Sequence, residues 1–452
     1  MSIARVFIAN RGEIAVRVIR ACRALGLESV VGVSEADRDS MAATLADRAV
    51  CIGPPRAPAS YLNIPALLAA ALGTGCDAVH PGYGFLAENA DFGAACEANG
   101  LVFVGPRPAT VRTMGNKLAA RQIAQEAGVP VVPGSTSVAN FTDAAEVVEQ
   151  IGYPVLLKAA AGGGGRGIRI VHRPEELPGT FSSAAAEADA AFGDGTLYVE
   201  RYIGDARHIE VQVFGDQQGD VVHFGARDCS LQRRYQKIVE EAPATLVPAE
   251  LHTEIVEAAV ALAQGIGYTN AGTVEFIYDQ QRREFHFLEM NTRIQVEHPV
   301  TEEITGVDLV QLQLRVASGE PLGIAQSDVR FDGHALECRI TAEQPSAGFR
   351  PSPGLITRWD APEGPGVRLD THCTAGYRVP PFYDSLLAKL ITSGADRDEA
   401  IARMQDALGR FVVEGIDTGI GFLAGLMAHP DFRRGEVNTR WVEEQSGALQ
   451  AS

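Results

Sequence analysis

Polar and mainly apolar side chains alternate strictly from residue 289 to residue 297. The polar side chains stand at every second position and belong to Glu289, Asn291, Arg293, Gln295 and Glu297. In an extended chain successive side chains point to opposite faces, so these five groups would share one face. A straight strand would spread them over roughly 26 Å at ~3.3 Å per residue, and we therefore expect the backbone to bend after Asn291. The alternation by itself favours a solvated strand face, so its meaning depends on the surrounding segments.

A hairpin is predicted from two apolar runs, residues 272–278 and 284–291, which a polar turn separates. This pairing would place Glu275 on the strand beside Glu289 and Asn291. Two carboxylates and an amide oxygen are hard ligands suited to Mg²⁺ or Mn²⁺. Cross-strand ion pairs are the alternative, but they need cations opposite the acids, and we expect none nearby on that face.

The first hundred residues alternate between apolar strands and helices. A strand at residues 5–9, a helix at 12–25 and a strand at 29–34 form a βαβ opening, which predicts a parallel sheet. The first turn lacks the GxGxxG pattern, so no dinucleotide fingerprint is present. The turn-rich loop at residues 80–85 follows a predicted strand, where it could bind a ligand or simply turn the chain.

Four consecutive glycines lie between two predicted strands, residues 153–158 and 168–171. No lysine precedes Ser or Thr here, so this is not a Walker A loop. A hairpin tip that closes over phosphates is favoured, because glycines let backbone N–H groups approach an anion. A floppy linker is the alternative. Residues 227–237 are the densest basic patch of the chain, which suits an anion site or a solvated face.

Composition limits the class of partner. The net charge of -18 and the pI near 5.0 argue against a nucleic-acid or membrane partner, since both attract cations. The uncharged segment 57–76 is interrupted by prolines and Gly73, so we predict a buried helix at 64–72 instead of a membrane span. Seven scattered cysteines without a CxxC pair, and no signal-peptide pattern near Met1, predict a cytoplasmic protein.

Lysine is rare among the 39 basic residues. The four lysines are Lys117, Lys158, Lys237 and Lys389. A chain so biased toward arginine is expected to keep lysine where a compact ammonium is needed, since the two side chains are not interchangeable. Chance survival is the alternative.

Seven motifs in fixed order resemble the biotin carboxylase family of the ATP-grasp superfamily. They read IANRGEIA, HPGYGFLAENA, KAAAGGGGRG, RDCSLQRR, QKIVEEAPA, EMNTRIQVEHPVTE and ECRI, and the similarity runs from about residue 4 to residue 440. The resemblance implies a multidomain α/β and α+β fold. Residues 1–113 would form a Rossmann-like parallel sheet, residues 114–330 an ATP-grasp domain with a mobile glycine-rich lid at about 131–203, and residues 331–447 a mixed α/β domain.

The resemblance also implies roles for individual residues. The groups expected to bind ATP phosphates are Lys117, Lys158, Gly164 and Gly165. The adenine would be held largely by the backbone of Glu200, Arg201, Tyr202 and Ile203. Further nucleotide contacts would come from His208, Gln232 and Tyr235, although the family usually has His at position 235. Two Mg²⁺ or Mn²⁺ ions would bind Glu275, Glu289 and Asn291. Bicarbonate would contact Lys237, Arg293, Gln295 and Val296. Glu297 would be the base, and Arg339 with Arg293 would stabilise the biotin enolate. Lys389 receives no role.

The implied reaction is ATP- and bicarbonate-dependent carboxylation of biotin through carboxyphosphate. It would be the first half-reaction of an acetyl-CoA or other acyl-CoA carboxylase, which supplies fatty acid biosynthesis. The chain has no AMKM-type segment, so biotin is expected on a biotin carboxyl carrier protein that works with carboxyltransferase subunits. A homodimer is expected, although Ala24 and Gly419 lack common polar residues and Ala161 replaces the first loop glycine.

Two other functions stay open. A different ATP-grasp ligase would make an acyl- or carbamoyl-phosphate. A non-catalytic regulatory subunit would keep the fold, and loss of a catalytic position would favour it; none of the positions named above as catalytic is lost.

Overall fold

Five parallel strands form the first sheet, in the order β3-β2-β1-β4-β5. The computed structural model describes residues 3–135, 137–138, 140–160 and 167–449, without the side chains of Phe192 and residues 446–449. The elements of the first part are β1 (Arg5–Ile8), α1 (Gly12–Ala24), β2 (Glu28–Ser34), α2 (Met41–Leu45), β3 (Arg48–Gly53), α3 (Ile64–Gly73), β4 (Ala78–His80), α4 (Ala90–Ala98), β5 (Val102–Phe103) and α5 (Pro108–Gly115). The predicted parallel sheet is therefore confirmed.

The helix predicted at residues 64–72 is present, but the prediction that it is buried is wrong. Leu67 and Ala71 are buried in α3, whereas Leu72 is 44% exposed. An uncharged run does not show which face meets the sheet, and here one side of the helix covers the strands while the other faces solvent. Among the described residues, no helix is long and apolar enough to cross a membrane.

A three-stranded antiparallel sheet carries the glycine-rich hairpin, in the order β7-β6-β8. The elements of this part are α6 (Lys117–Glu126), α7 (Phe141–Ile151), β6 (Val155–Ala159), β7 (Ile168–Val171), α8 (Leu177–Phe192) and β8 (Leu197–Arg201). Helix α6 begins after Asn116, whose side chain accepts a hydrogen bond from the N–H of Ala119 and so caps the helix. The predicted strands on either side of the glycines pair as a hairpin, and the tip at residues 161–166 lies outside the described part.

The largest sheet has eight antiparallel strands, in the order β13-β12-β9-β10-β11-β14-β21-β19. Its first members and neighbouring helices are β9 (Ala206–Gly215), β10 (Val221–Arg233), β11 (Gln236–Ala242), α9 (Ala249–Gly265), β12 (Asn270–Asp279), β13 (Glu284–Asn291), α10 (His298–Thr305) and α11 (Leu309–Ala317). Strand β13 ends at Asn291, so the predicted bend after this residue is confirmed. The chain reaches α10 through a turn that contains Arg293, Gln295 and Glu297.

The last part of the chain extends the same sheet through β14, β21 and β19. Its elements are β14 (His334–Thr341), β15 (Glu343–Gln344), β16 (Arg350–Pro351), β17 (Gly354–Leu355), β18 (Arg358–Asp360), β19 (Val367–Thr371), β20 (Arg378–Val379), β21 (Leu386–Gly394), α12 (Arg397–Arg410), β22 (Val412–Glu414), α13 (Ile420–Ala428), α14 (Pro430–Arg434) and α15 (Trp441–Leu449). Strand β11 pairs with β14, so segments before and after residue 330 share one sheet.

Helix α1 joins the first sheet to the rest of the molecule. Its apolar side chains Ile14 and Val18 belong to a buried cluster that also contains Leu309 of α11 and Phe214 of β9. This packing fixes the loops after β1 and β4 against the large sheet, where the site described next is found.

Candidate active site

One cavity of about 840 Å³ opens between the loops of the first sheet, the β6–β7 hairpin and the large sheet. All predicted site residues that the structure describes line it: Lys117, Lys158, Glu200, Arg201, Tyr202, Ile203, His208, Gln232, Tyr235, Lys237, Glu275, Glu289, Asn291, Arg293, Gln295, Val296, Glu297 and Arg339. Gly164 and Gly165 lie outside the described residues. Tyr83, Gly84 and Phe85 of the loop after β4 also line the cavity.

Lys237 lies at the centre of three carboxylates. Its Nζ is 2.5 Å from Glu210 Oε2, 3.1 Å from Glu275 Oε1 and 2.6 Å from Glu297 Oε1. Burial lowers the pKa of Lys237, but the three carboxylates outweigh burial and raise that pKa well above its usual range. The ammonium is therefore permanently charged and held in place.

Glu297 stands directly before α10 and is fully buried. Its Oε2 accepts a hydrogen bond from Nη2 of Arg339 at 2.9 Å, while Nε of Arg339 donates to Oε1 of Glu240 at 2.6 Å. Burial raises the pKa of Glu297, yet Lys237, Arg339 and Arg227 together hold it well below the usual range. The carboxylate of Glu297 is consequently ionised at neutral pH.

The β12–β13 hairpin brings the predicted metal ligands together. Its register sets Glu275 opposite Glu289 and Thr273 opposite Asn291. Nδ2 of Asn291 donates to Oε1 of Glu275 at 2.6 Å. The Glu289 side chain is 45% exposed and lies 3.8 Å from Nζ of Lys117. Hard oxygen ligands on neighbouring strands, opening onto a cavity, fit Mg²⁺ or Mn²⁺.

The expectation that no cation lies near these acids is wrong. Nε2 of His208 is 3.0 Å from Oε2 of Glu275, and Lys237 contacts the other oxygen of the same carboxylate. These cations come from β9 and β11, and local sequence around the hairpin could not place them there. Burial raises the pKa of Glu275, but Lys237 and His208 lower it more strongly. The acids are thus ion-paired within the chain before any ligand arrives.

Arg293 turns back toward the strand that precedes it. Its Nη2 donates to Oδ1 of Asn291 at 2.9 Å and its Nη1 to Oε1 of Gln295 at 2.8 Å. Its Nε donates to Oε2 of Glu88 at 2.9 Å, which ties the turn to the loop after β4. Nε2 of Gln295 in turn donates to Oε1 of Glu275 at 3.1 Å. The turn after β13 is therefore closed by side-chain hydrogen bonds and points its polar groups into the cavity.

The other end of the cavity holds Lys158 and Glu200. Nζ of Lys158 is 2.5 Å from Oε2 of Glu200, whose Oε1 accepts from Nη1 of Arg121 at 2.9 Å. Burial lowers the pKa of Lys158, and Glu200 raises it by more. An anion that enters here finds a fixed ammonium at the base of the glycine hairpin.

Backbone amides of the segment after β8 are already engaged. The N–H of Arg201 donates to the carbonyl of Pro133, and the N–H of Tyr202 donates to the carbonyl of Pro154. Nearby, Nε2 of Gln232 lies 3.0 Å from Nδ1 of His208. Tyr235 occupies the turn between β10 and β11 with φ +64° and is 63% exposed.

Three family models match consecutive parts of the chain. The model described as "Biotin carboxylase, N-terminal domain" matches residues 2–111, and "Biotin carboxylase C-terminal domain" matches residues 337–444. Between them, "Carbamoyl-phosphate synthase L chain, ATP binding domain" matches residues 116–325. Biotin carboxylase 1 of Bacillus subtilis is 52% identical over 98% of this chain and 98% of its own length.

The chain belongs to the biotin carboxylase family.

Solved structures agree with this membership. A biotin carboxylase–βγ-ATP complex from Campylobacter jejuni has a TM-score of 0.95 at 46% identity, covering 98% of this chain and 99% of that one. The biotin carboxylase domain dimer of Hydrogenobacter thermophilus 2-oxoglutarate carboxylase, solved with MgADP and bicarbonate, has a TM-score of 0.94 at 46% identity and covers 99% of each chain. As a member of the biotin carboxylase family, this chain is an ATP-dependent ligase.

Sequence reasoning about this family member missed several charged residues of the site. Glu210 contacts Lys237 and Arg227, Glu240 contacts Arg339, and Glu88 contacts Arg293. Glu210 could have been found, because it follows His208 at the spacing that places both side chains on one strand face. No comparable local pattern marks Glu240 or Glu88.

Proposed function

We propose that this chain uses ATP and bicarbonate to carboxylate biotin on a separate carrier protein, as the first half-reaction of an acyl-CoA-type carboxylase. One observation carries the proposal. Glu297 is a buried, ionised carboxylate held between Lys237 and Arg339, at 2.6 Å and 2.9 Å. A base flanked by two fixed cations suits the deprotonation of an anion that must then attack another anion.

At the nucleotide end, Lys117 and Lys158 supply positive charge for the ATP phosphates, together with the glycine tip at Gly164 and Gly165. His208, Gln232 and Tyr235 line the same space and contact the nucleotide. The N–H groups of Arg201 and Tyr202 are engaged by proline carbonyls, so the adenine edge is expected to pair with the Ile203 backbone.

Bicarbonate binds beside Glu297, among Lys237, Arg293, Gln295 and the Val296 backbone. The resting Glu297 is a weak base because two cations share its charge. An incoming anion competes for those cations, and each contact that it takes over raises the basicity of Glu297. The proton then passes to Glu297 while a bicarbonate oxygen bonds to the γ-phosphorus of ATP. The bond to the β-phosphate oxygen breaks, which leaves ADP and carboxyphosphate.

Carboxyphosphate next separates into CO₂ and phosphate. The phosphate accepts the N1′ proton of biotin, and the biotin anion attacks CO₂ to form carboxybiotin. Arg339, with Arg293, lies where it can offset the negative charge of the biotin enolate. Arg339 is anchored by Glu240, so its guanidinium is placed before biotin arrives.

Two Mg²⁺ or Mn²⁺ ions would be held by Glu275, Glu289 and Asn291. When bound, they supply positive charge that offsets the phosphate charge of the transferring group. Lys237 and His208 balance Glu275 in their place in the present arrangement. Oδ1 of Asn291 must leave Nη2 of Arg293 before it can serve as a ligand.

The carrier and the carboxyltransferase are proposed to be separate proteins, and the acyl acceptor is a property of those partners. The relatives support this division, since one is named as a biotin carboxylase in its own right and another as the biotin carboxylase domain of 2-oxoglutarate carboxylase. A homodimer is also proposed, because the 2-oxoglutarate carboxylase domain was solved as a dimer.

The test is ADP release with Mg-ATP, with and without bicarbonate and with and without free biotin. Turnover that needs bicarbonate and rises with biotin is the expected result. Turnover driven instead by ammonia or an amino acid would overturn it in favour of another ATP-grasp ligase. Nucleotide binding without any turnover, even with added carrier protein, would favour a non-catalytic subunit.

A further inference from the structure

Lys389 is the lysine that the family resemblance leaves without a role, and it is fully buried in β21. Its Nζ donates to the carbonyl oxygen of Val296 at 2.9 Å. Oε2 of Glu13 lies 3.2 Å from the same Nζ, and Oδ2 of Asp370 lies 4.0 Å away. A charged group is rarely buried without partners, so this ammonium is kept inside the protein by what it holds.

The contacts of Lys389 join three distant parts of the chain. Glu13 belongs to α1 beside the first sheet, Asp370 to β19 at the far edge of the large sheet, and Val296 to the turn before α10. Glu13 also accepts a hydrogen bond from the hydroxyl of Tyr83, a residue of the cavity wall. Burial raises the pKa of Glu13, and Lys389 acts in the opposite direction as its closest cation.

The atom that Lys389 holds matters for catalysis. The Val296 carbonyl belongs to the peptide unit that ends at the nitrogen of Glu297, and this peptide is planar. Residues 296 and 297 lie in a turn, so no strand or helix ladder fixes this carbonyl. Orienting this one peptide unit therefore orients the start of the Glu297 side chain on one side and the Val296 backbone on the other.

We propose that Lys389 is a positioning residue for the bicarbonate site, which it serves by locking the Val296–Glu297 peptide unit. Glu13 and Asp370 act as the counter-ions that allow the ammonium to stay buried. The inference rests on the proposed roles of Glu297 and Val296. Lys389 touches no substrate in this scheme, and its register partner on β14 is Arg339, so it braces the wall behind the site.

The test compares the wild type with the double variant Lys389→Met, Glu13→Gln. The pair of substitutions removes both charges together, so no uncompensated ion is left in the interior. We expect kcat/KM for bicarbonate at saturating ATP to fall at least about tenfold, since small misplacements of a reacting group cost that much or more. The dissociation constant for ATP, measured by calorimetry, should stay within about twofold, because Lys389 lies apart from Lys158 and Glu200.

A matched control is the double variant Arg397→Met, Glu241→Gln. This buried ion pair has an Nε–Oε2 distance of 2.6 Å, and neither residue lines the cavity. It tests whether the loss of any buried pair lowers turnover, and we expect kcat/KM for bicarbonate to stay within about twofold. An equal loss in the control would overturn the proposal, because the effect would then be general.

A second variant decides the matter if the methionine variant does not fold. Lys389→Arg keeps the charge but replaces a compact ammonium by a planar fork, so we expect a folded protein with kcat/KM for bicarbonate at least about threefold lower. A folded variant of either kind with unchanged kcat/KM for bicarbonate overturns the proposal. Failure of the proposed function is seen separately, as wild-type turnover that ignores bicarbonate.

Discussion

The substitution Glu297→Gln tests the proposed base with the least change of shape. Glu297 accepts hydrogen bonds from Lys237 at 2.6 Å and from Arg339 at 2.9 Å. Glutamine keeps one acceptor oxygen, but its amide N–H group must face one of these two cationic donors. One charge-assisted hydrogen bond is thus lost, which costs about 1.5–3 kcal/mol of folding free energy. Removal of one acid from a group that also contains Glu210 and Glu240 offsets part of that cost.

The larger effect is expected on turnover. An amide cannot accept the bicarbonate proton, and general-base catalysis typically contributes about 10²–10⁴-fold. At about 1.4 kcal/mol for each factor of ten, the barrier should rise by roughly 3–5 kcal/mol. ATP binding should be retained, because Lys158 and Glu200 form their own ion pair at the other end of the cavity.

The assay is bicarbonate-dependent ADP release, with ATP affinity measured separately by calorimetry. Glu302→Gln is the matched control, because Glu302 is a buried glutamate of α10 that pairs with Arg17 instead of Lys237. The control should lose stability without a comparable loss of turnover. Full turnover in Glu297→Gln would refute the assignment of the base, and loss of ATP binding would show that Glu297 holds the site together instead.

Three further substitutions and one ligand removal test other parts of the site. Lys237→Met should reduce bicarbonate-dependent turnover at least about 100-fold while ATP still binds, since a fixed cation is lost beside the reacting anions; turnover within tenfold of the wild type contradicts this role. Tyr235→Ala should raise the KM for ATP by less than about tenfold with kcat unchanged, because the side chain is 63% exposed; a large loss of kcat argues against a rim position. Glu337→Gln should raise the melting temperature more at pH 8 than at pH 5: burial raises the pKa of Glu337 well above its usual range, so the folded chain keeps a proton that the unfolded chain releases and stability falls as pH rises above the ordinary carboxyl pKa; equal shifts at both pH values contradict the reasoning. Chelation of divalent cations should abolish ATP cleavage, and either Mg²⁺ or Mn²⁺ should restore it; ADP release that persists in excess chelator excludes the metal requirement.

Local pattern was sufficient for the elements of the fold and for part of the site. The opening alternation of strands and helices predicted the parallel sheet, and two apolar runs around four glycines predicted the β6–β7 hairpin. The β12–β13 pair was predictable because a short polar turn fixes which residues face each other, so Glu275 lies opposite Glu289. The bend after Asn291 followed from the length that a straight strand would need.

The tertiary structure alone decided which charges meet. Lys237 on β11, His208 on β9 and Arg339 on β14 reach the acids because of the strand order of the large sheet, and strand order between distant segments leaves no local periodicity. For the same reason no role for Lys389 could be predicted, since its partners Glu13 and Val296 stand far from it along the chain. Periodicity records which face of its own element a residue occupies, whereas burial of an ion pair depends on which elements pack together. The sequence thus determined the secondary structure and most of the site residues, and the packing of the sheets determined how those residues are held.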